Sequence, residues 1–174
     1  MALFFGKQRG SDEDENNGGN NAESSNGLAI EPDKARKWFE TAQVRAETRN
    51  YEYAITCYLN GLKFDPTNLD AHQKLFEVAN MYKTTGGKAA SGKELREMSA
   101  NKRPVDKLAA AELAWVKDAL NASLALKFTK AAAELGLSEV AYWAADYGAR
   151  AVLRSKKPSK SSLIQFVDIF EQVN

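Results

Sequence analysis

The chain has very few of the residues that most often carry chemistry. Among its 174 residues it has one cysteine, Cys57, and one histidine, His72. A lone cysteine cannot form a disulfide within the chain, which is usual for proteins of a reducing compartment. The two residues cannot by themselves supply a zinc site, and they lie fifteen residues apart on different predicted helices, which argues against a Cys–His catalytic pair. We expect structural roles for both and no metal site.

Long apolar runs are absent as well. Residues 2–5 form the only apolar run near residue 1, whereas a signal peptide has a basic region followed by about 7–15 apolar residues. No stretch approaches the roughly 18 apolar residues of a membrane-spanning helix. The net charge of +1 gives no global reason to expect nucleic acid or a membrane as partner. We therefore expect a cytoplasmic protein.

Signatures of phosphate binding and of acid–base catalysis are also missing. The Gly-Gly-Lys at 86–88 and the Ser-Gly-Lys at 91–93 lack the length and spacing of a P-loop, and no buried strand is predicted before them. The acids are numerous but scattered over helix faces, with no candidate general acid–base pair. The sequence favours a protein that is not an enzyme and has no small-molecule substrate and no cofactor.

The charge is balanced overall but divided along the chain. Residues 1–31 hold two cations against six acids, a net charge of −4, so the remainder carries +5. Residues 10–27 are almost all Ser, Asn, Gly, Asp and Glu, which bury too little apolar surface to offset the entropy of ordering. We predict a disordered acidic tail over residues 1–30. A solubilising tail is the favoured interpretation, and a tether for a docking motif at Phe4-Phe5 is the alternative.

Proline is scarce, and its positions suggest a repeat. The four prolines, at 32, 66, 104 and 158, all lie between periodic segments, where proline does not break a helix. No run alternates apolar and polar residues clearly enough to predict a strand. We predict an all-α fold, and the 34 residues between the first two prolines suggest a helical repeat.

The segment 31–68 has the pattern of a helical hairpin. Small residues at Ala42 and Ala54 allow two helices to approach closely, and the bulky Trp38 and Tyr58 fill the space beside that contact. The defining residues stand at fixed offsets: Trp38, Ala42, Ala54, Tyr58 and Pro66.

This pattern resembles the tetratricopeptide repeat (TPR) family, whose repeat is a helix–turn–helix unit of about 34 residues. Residues 50–52 resemble the family's turn into the second helix, whereas Thr41, Arg45 and Arg49 depart from its pattern. The resemblance implies a right-handed α-solenoid of about three such repeats plus a C-terminal helix. It also implies a concave groove lined by the first helix of each unit.

The second unit is less regular than the first. We place it at residues 69–121, with a first helix ending near Tyr82 and a polar, basic insert at about 83–105. Its second helix is then predicted at 106–120. Residues 83–107 hold seven Lys or Arg against three acids.

A third unit is predicted at residues 122–158, with Gly136 in its turn, followed by a terminal helix at 159–174. That helix has a broad apolar stripe that includes Leu163, Phe166 and Phe170. A terminal helix needs a polar outer face to remain soluble. We therefore predict that a further repeat, a second copy or a partner covers it.

The resemblance also implies which residues line the groove. They are Arg36, Phe39, Gln43, Asp70, Gln73, Glu77, Asn80, Ser123, Leu126 and Lys130. If Phe39 is exposed, it is the natural anchor for a partner, because aromatic side chains supply large contact areas.

One kind of partner is disfavoured. Family members that bind acidic chaperone tails use a clamp of Lys, Asn, Asn, Lys and Arg. The corresponding residues here are Phe39, Gln43, Lys74, Ser123 and Lys127. Since only Lys127 keeps the charge, chaperone-tail binding is not expected.

These patterns favour an interaction scaffold or adaptor that binds a peptide segment of a partner protein. The alternative is a nucleic-acid-associated factor that contacts phosphates through the insert at 83–107. The insert lacks the interleaved aromatic residues that stack on bases, so a solvated segment is the favoured interpretation.

Overall fold

The computed structural model describes residues 22–23 and 28–173. The tail predicted over residues 1–30 lies largely outside this part of the chain. Within it, β1 (Ala22–Glu23) pairs antiparallel with β2 (Ala29–Ile30), with Ala22 opposite Ile30. Leu28 packs against the core, so ordered structure begins before the predicted boundary at residue 30. Two-residue strands are too short to leave an alternating pattern in the sequence.

The prediction of an all-α fold is confirmed for the described residues. Apart from the short strand pair, they form eight helices. These are α1 Pro32–Glu47, α2 Tyr51–Leu62, α3 Leu69–Thr84, α4 Gly92–Met98, α5 Pro104–Val116, α6 Ala122–Glu134, α7 Ser138–Arg154 and α8 Lys160–Val173. None of the described helices is long and apolar enough to cross a membrane.

Local chemistry sets where these helices begin. Pro32 and Pro104 occupy the first turn of α1 and α5, where no backbone N–H is needed. The side chain of Asn68 accepts a hydrogen bond from the Ala71 N–H at 3.0 Å, and Asn121 accepts one from the Leu124 N–H at 3.3 Å. Each bond satisfies an otherwise unpaired amide at the start of α3 or α6.

The turns between paired helices need left-handed backbone. Gly136, between α6 and α7, has φ +69°, and Arg49, between α1 and α2, has φ +60°. Glycine adopts this conformation without strain, whereas a residue with a Cβ does not. The arginine that departs from the TPR pattern therefore sits where glycine is best suited.

The helices form one connected core. Helix α1 packs on α2, α2 on α3 and α5, α4 on α5, and α5 on α6. Helices α6, α7 and α8 all pack on one another, and α3 contacts both α5 and α7. A single cluster of buried side chains runs from Ala42 of α1 to Phe166 of α8.

Close approach between helices depends on small residues. Ala42 and Ala54 are fully buried where α1 meets α2. A Cβ on Gly61 would lie 2.4 Å from the Phe39 ring, and one on Gly148 would lie 2.4 Å from the Phe166 ring. Each ring packs directly against the backbone of a glycine. This contact brings α1 close to α2, and α8 close to α7.

Much of the apolar stripe of α8 is covered within the chain. Phe166 and Ile169 are buried, and Leu163 and Phe170 pack against the core. Ile164 and Val167 remain exposed, at 61% and 50%. Among the large apolar residues described in α8, only these two are left exposed. The predicted covering partner would therefore have to cover these two positions only.

Candidate interaction surfaces

Four of the predicted groove residues meet at one small hollow between α1 and α3. Arg36, Phe39 and Gln43 come from α1, and Asp70 comes from α3. The other lining residues are Glu40, Tyr58, Asn68, Ala71 and Lys74. We call this the α1–α3 hollow. Its volume of about 120 Å³ is well below the roughly 300–1,000 Å³ of small-molecule pockets.

The walls of the α1–α3 hollow carry charge of both signs. Arg36 pairs with Asp33 at 3.1 Å, and Lys74 pairs with Asp70 at 2.7 Å. The hydrogen bond to Asp70 raises the pKa of Lys74, so this lysine stays charged. Since both pairs are largely exposed, each contributes little to stability.

Phe39 is a wall of this hollow and also part of the core. Its ring stacks on that of Tyr58, with centroids 6.2 Å apart, and lies over Gly61. The side chain is half-buried, so the exposed anchor considered from the sequence is not present in that form. In the sequence, the signal for this packing is Gly61, three residues after Tyr58, because a glycine leaves space for a ring against the helix backbone.

The other predicted groove residues do not join this hollow. Gln73, Glu77 and Asn80 are exposed along α3, Ser123 is exposed on α6, and Leu126 is half-buried. Lys130 of α6 donates a hydrogen bond to Gln165 Oε1 of α8 at 2.8 Å. The residues that line the hollow include none from α6. A binding role for these residues stays a prediction.

Five aromatic residues fill the space between α3, α5, α6 and α7. They are Phe76, Trp115, Phe128, Trp143 and Tyr147, and we call them the aromatic cluster. Trp115 is fully buried at its centre. Its ring centroid lies 5.1 Å from that of Phe76 and 5.3 Å from that of Phe128. These distances are typical of favourable aromatic pairs.

The lone histidine is buried beside a carboxylate. His72 Nδ1 lies 2.6 Å from Glu112 Oε1, and Nε2 lies 3.0 Å from the Pro66 carbonyl oxygen. Because both neighbours accept hydrogen bonds, the imidazolium form, which donates from both nitrogens, fits this site. Burial acts to lower the pKa of His72, but the charge and hydrogen bond of Glu112 and the Pro66 carbonyl outweigh it and raise the pKa. His72 thus joins α3 to α5.

Neither His72 nor Cys57 lies in a recognisable catalytic setting. Cys57 is buried, and burial raises the pKa of its thiol, which disfavours the reactive thiolate. Within the described residues, no group of three or more His, Cys, Asp and Glu side chains is arranged to hold a metal ion. Glu112 Oε2 and Trp115 Nε1 are the buried side-chain atoms that lack a hydrogen-bond partner in this part of the chain.

The predicted insert at 83–105 contains a helix, α4, that sequence reasoning missed. Ser91 accepts a hydrogen bond from the Glu94 N–H at 3.2 Å, and Glu94 accepts one from the Ser91 N–H at 2.7 Å. This reciprocal capping box is encoded locally as Ser-x-x-Glu, so the signal was present in the sequence. Helix α5 also begins at Pro104, two residues before its predicted start.

Salt bridges fasten the insert to the body. Lys117, only 3% exposed in its side chain, donates to Glu94 and lies 5.0 Å from the centre of the Tyr82 ring. The Lys117 hydrogen bond, with that of the Ser91 backbone, lowers the pKa of Glu94 to about 2. Lys63, directly after α2, donates to the Met98 carbonyl oxygen at 2.7 Å. The interpretation as a plain solvated loop is therefore wrong for 92–98.

A second buried carboxylate anchors the far end of the insert. Asp106 is fully buried and accepts from Arg103 through Nε at 2.8 Å and Nη2 at 3.0 Å. Lys63 lies 3.2 Å away on its other side. The Arg103 hydrogen bonds, with help from Lys63, lower the pKa of Asp106 below its ordinary value. The positive charge of Arg103 is thus partly neutralised by Asp106.

The remaining cations of the insert stay on the surface. Lys88, Lys93, Arg96, Lys102 and Lys107 are exposed. Lys93 lies 3.8 Å from Glu97. No aromatic residue occurs between 83 and 107, so the insert itself offers no ring on which a base could stack. Phosphate contact through this segment stays a prediction.

A larger cleft lies between α3, the end of α5 and α7, and its volume is about 690 Å³. We call it the α3–α7 cleft. Its lining residues are Phe76, Asn80, Lys83, Thr84, Val116, Lys117, Asp118, Ala119, Leu120, Asp146, Tyr147, Arg150, Ala151 and Arg154. Of the predicted groove residues, only Asn80 is among them. Tyr147, Arg150 and Arg154 recur at helical spacing, which was the one signal in the sequence that they share a face.

Comparison with known proteins yields a partial likeness. No family model matches the chain, and no solved structure matches it significantly. Over 71 residues the chain is 32% identical to U-box domain-containing protein 70 of Oryza sativa subsp. japonica. The match covers 41% of this chain but spans 9% of the curated relative. It therefore assigns no family, and the TPR resemblance stays a prediction.

Proposed function

We propose that the chain is a non-enzymatic scaffold or adaptor that binds a peptide segment of a partner protein. The proposed architecture is a right-handed α-solenoid of about three irregular TPR-like units. The α1–α2 hairpin carries the proposal, because the residues behind the resemblance occupy the packing positions that such a unit requires. Ala42 and Ala54 are fully buried, and Tyr58 is 3% exposed.

The α1–α3 hollow supports a binding role on this surface. In stacked helical hairpins, the first helices of successive units lie side by side and offer their outward residues to a ligand. Here α1 and α3 both contribute exposed polar side chains, Gln43 and Asp70 among them, to one concavity. An extended peptide could pair its charged groups with Arg36, Asp70 and Lys74.

Several buried titratable groups are committed to internal pairs, which favours a binding role over catalysis. His72 is tied to Glu112, Asp106 to Arg103 and Lys63, and Lys117 to Glu94. Each pair joins two structural elements or caps one. We propose cytoplasmic action on a protein partner, without a cofactor, small-molecule substrate or membrane.

Selection of random peptides against the full chain, followed by fluorescence anisotropy, tests the proposal. The variant Gln43→Ala/Asp70→Ala removes two exposed side chains of the α1–α3 hollow. We expect it to weaken the selected peptide at least tenfold, or about 1.4 kcal/mol. The control Asp168→Ala/Gln172→Ala removes the same two kinds of side chain at exposed positions of α8.

Both double variants should melt at nearly the native temperature, because exposed substitutions rarely change stability by more than about 0.5 kcal/mol. Failure to select any peptide, together with oligonucleotide binding that weakens steeply with salt, would favour the nucleic-acid alternative instead. Equal loss of affinity in the two double variants would refute a role for the α1–α3 hollow.

A further inference from the structure

The α3–α7 cleft has an apolar floor. The rings of Phe76 and Tyr147 lie 4.8 Å apart there and form the outer edge of the aromatic cluster. Val116 and Ala151 extend the floor, and Leu120, 81% exposed, stands at its edge. The volume of about 690 Å³ lies within the range of natural ligand pockets, roughly 300–1,000 Å³. This floor can accept large apolar side chains.

The rim of the cleft is basic. Its exposed cations are Lys83, Arg150 and Arg154. Neither Lys83 nor Arg154 forms an ion pair with another described residue. Beyond Arg154 the chain continues with exposed Lys156, Lys157 and Lys160.

The rim also holds two acids. Asp146 pairs with Arg150 at 2.9 Å, whereas Asp118 accepts a hydrogen bond from the neutral amide of Asn121 at 3.1 Å and keeps its charge. Lys117 lies at the base of the cleft, but Glu94 and Glu52 balance its charge. Lys83, Arg150 and Arg154 against Asp118 and Asp146 give the rim a net charge of +1, so the rim remains positive.

We propose that the α3–α7 cleft is a docking site for an acidic peptide segment with an aromatic or aliphatic anchor. The anchor would lie on Phe76 and Tyr147, and flanking carboxylates would pair with Lys83 and Arg154. The inference rests on the proposed function as an interaction scaffold, and it assigns a second surface and the charge class of its partner. The aliphatic Val116, Leu120 and Ala151 of the lining favour an apolar side chain of a peptide, because bases of a nucleic acid stack on aromatic rings and gain little from aliphatic contacts.

The test uses the full chain, peptide display and a charge-reversal variant, Lys83→Glu/Arg154→Glu. The control variant Lys88→Glu/Lys107→Glu makes the same charge change at exposed positions outside the cleft lining. Peptides are selected from a random library on the native chain alone, and their affinities for the native chain and for each variant are then measured by anisotropy. Circular dichroism checks that both variants remain helical.

We expect the selected peptides to be rich in Asp and Glu with at least one aromatic or large aliphatic residue. Their Kd should rise at least tenfold in the cleft variant and less than threefold in the control. Leu120→Ala should also weaken them, since this side chain is 81% exposed and its loss should change binding more than folding.

Four results would overturn the inference. Selected peptides without acidic residues would remove the charge argument, and equal weakening in both charge-reversal variants would indicate unspecific attraction. If the peptides lose affinity only for Gln43→Ala/Asp70→Ala, the cleft is excluded as their binding site, while the proposed function stands. An oligonucleotide that binds the native chain and fails on the cleft variant would assign the cleft to nucleic acid.

Discussion

The first hairpin, α1 and α2, and the second unit, α3 and α5, are held together by different means. In the first, a three-residue turn joins two helices that meet through Ala42, Ala54 and Gly61. In the second, nineteen residues including α4 separate the two helices in sequence. Their contact is made by large and charged groups, with Phe76 on Trp115 and His72 on Glu112.

The difference shows two ways to close a helical unit. Small residues bring backbones together, so the contact depends on local spacing along each helix. Large rings and a buried ion pair bridge a wider gap between helices. Removing any one of these groups should therefore lower the stability of the fold. Removing one member of a buried ion pair leaves an uncompensated charge, at about 3–5 kcal/mol. The wider arrangement also leaves room for the α3–α7 cleft beside the aromatic cluster.

The largest effect should come from Trp115→Ala in the second unit. The substitution removes a fully buried ring that contacts α3, α6 and α7. We expect a loss of about 3–5 kcal/mol in the free energy of unfolding, measured in urea. Trp38→Ala in the first hairpin, where the ring is half-buried, should cost less. A larger loss for Trp38→Ala would reverse the comparison.

Removing the imidazole should have the next largest effect and should change the pH dependence. His72→Gln leaves Glu112 without its cationic partner, which we expect to cost about 3 kcal/mol near neutral pH. In the native chain the folded pKa of His72 is raised above 6.5. Its stabilisation is therefore fully present below pH 6.5 and is lost as the pH rises through the folded pKa.

Melting temperatures measured from pH 6 to 9 would check this. The native chain should lose stability with rising pH, and both His72→Gln and Glu112→Gln should show a flatter profile. An unchanged slope in both variants would show that the His72 pair does not govern it.

The close approach in the first hairpin predicts a smaller effect for Gly61→Ala. The new Cβ would lie 2.4 Å from the Phe39 ring and 3.1 Å from Trp38 Cβ. Overpacking costs about 1–3 kcal/mol, and the better helix propensity of alanine returns about 1 kcal/mol. We expect a net loss of up to about 2 kcal/mol by urea unfolding.

Gly92→Ala is the matched control for this loss, since its nearest atom lies at 3.6 Å, on the flexible end of Arg96. It should be neutral or stabilising. A loss as large as that of Gly61→Ala would mean that helix packing is not the cause.

The smallest effect should be a gain in stability. Arg49, between α1 and α2, has φ +60°, and Lys102, before α5, has φ +58°. Arg49→Gly and Lys102→Gly each relieve left-handed strain of about 1–2 kcal/mol, partly offset by the entropy of glycine in the unfolded chain. We expect a net gain of up to about 1 kcal/mol, or about 2–4 °C in Tm. Thr48→Gly, at φ −83°, should instead lower the Tm.

Helix periodicity and end signals made much of the fold predictable. The all-α class and the first hairpin followed from Trp38, Ala42, Ala54 and Tyr58, whose spacing is local. Helix α4 is encoded locally by the capping box of Ser91 and Glu94, whereas the polar composition of the insert favours a solvated segment. The boundaries of α3 and α6 agree closely with their asparagine caps.

The candidate surfaces were only partly predictable. Arg36, Phe39, Gln43 and Asp70 do meet in the α1–α3 hollow, because α1 and α3 keep near-regular spacing. After the insert, the spacing between the first helices of the units is no longer regular, and Lys130 contacts α8 instead of the hollow. The α3–α7 cleft was missed, because no pattern within α3 predicts that α7 lies beside it.

The sequence by itself determined the helices, their caps and the small-residue contact of the first hairpin, since each depends on residues a few positions apart. The tertiary structure decided the pairs that join distant segments. His72 meets Glu112 forty positions away, and Lys63 contacts both Met98 and Asp106. Such pairs depend on the distance between the helices. The packing of Trp115 and its neighbours sets that distance, and no spacing of residues within one helix encodes it.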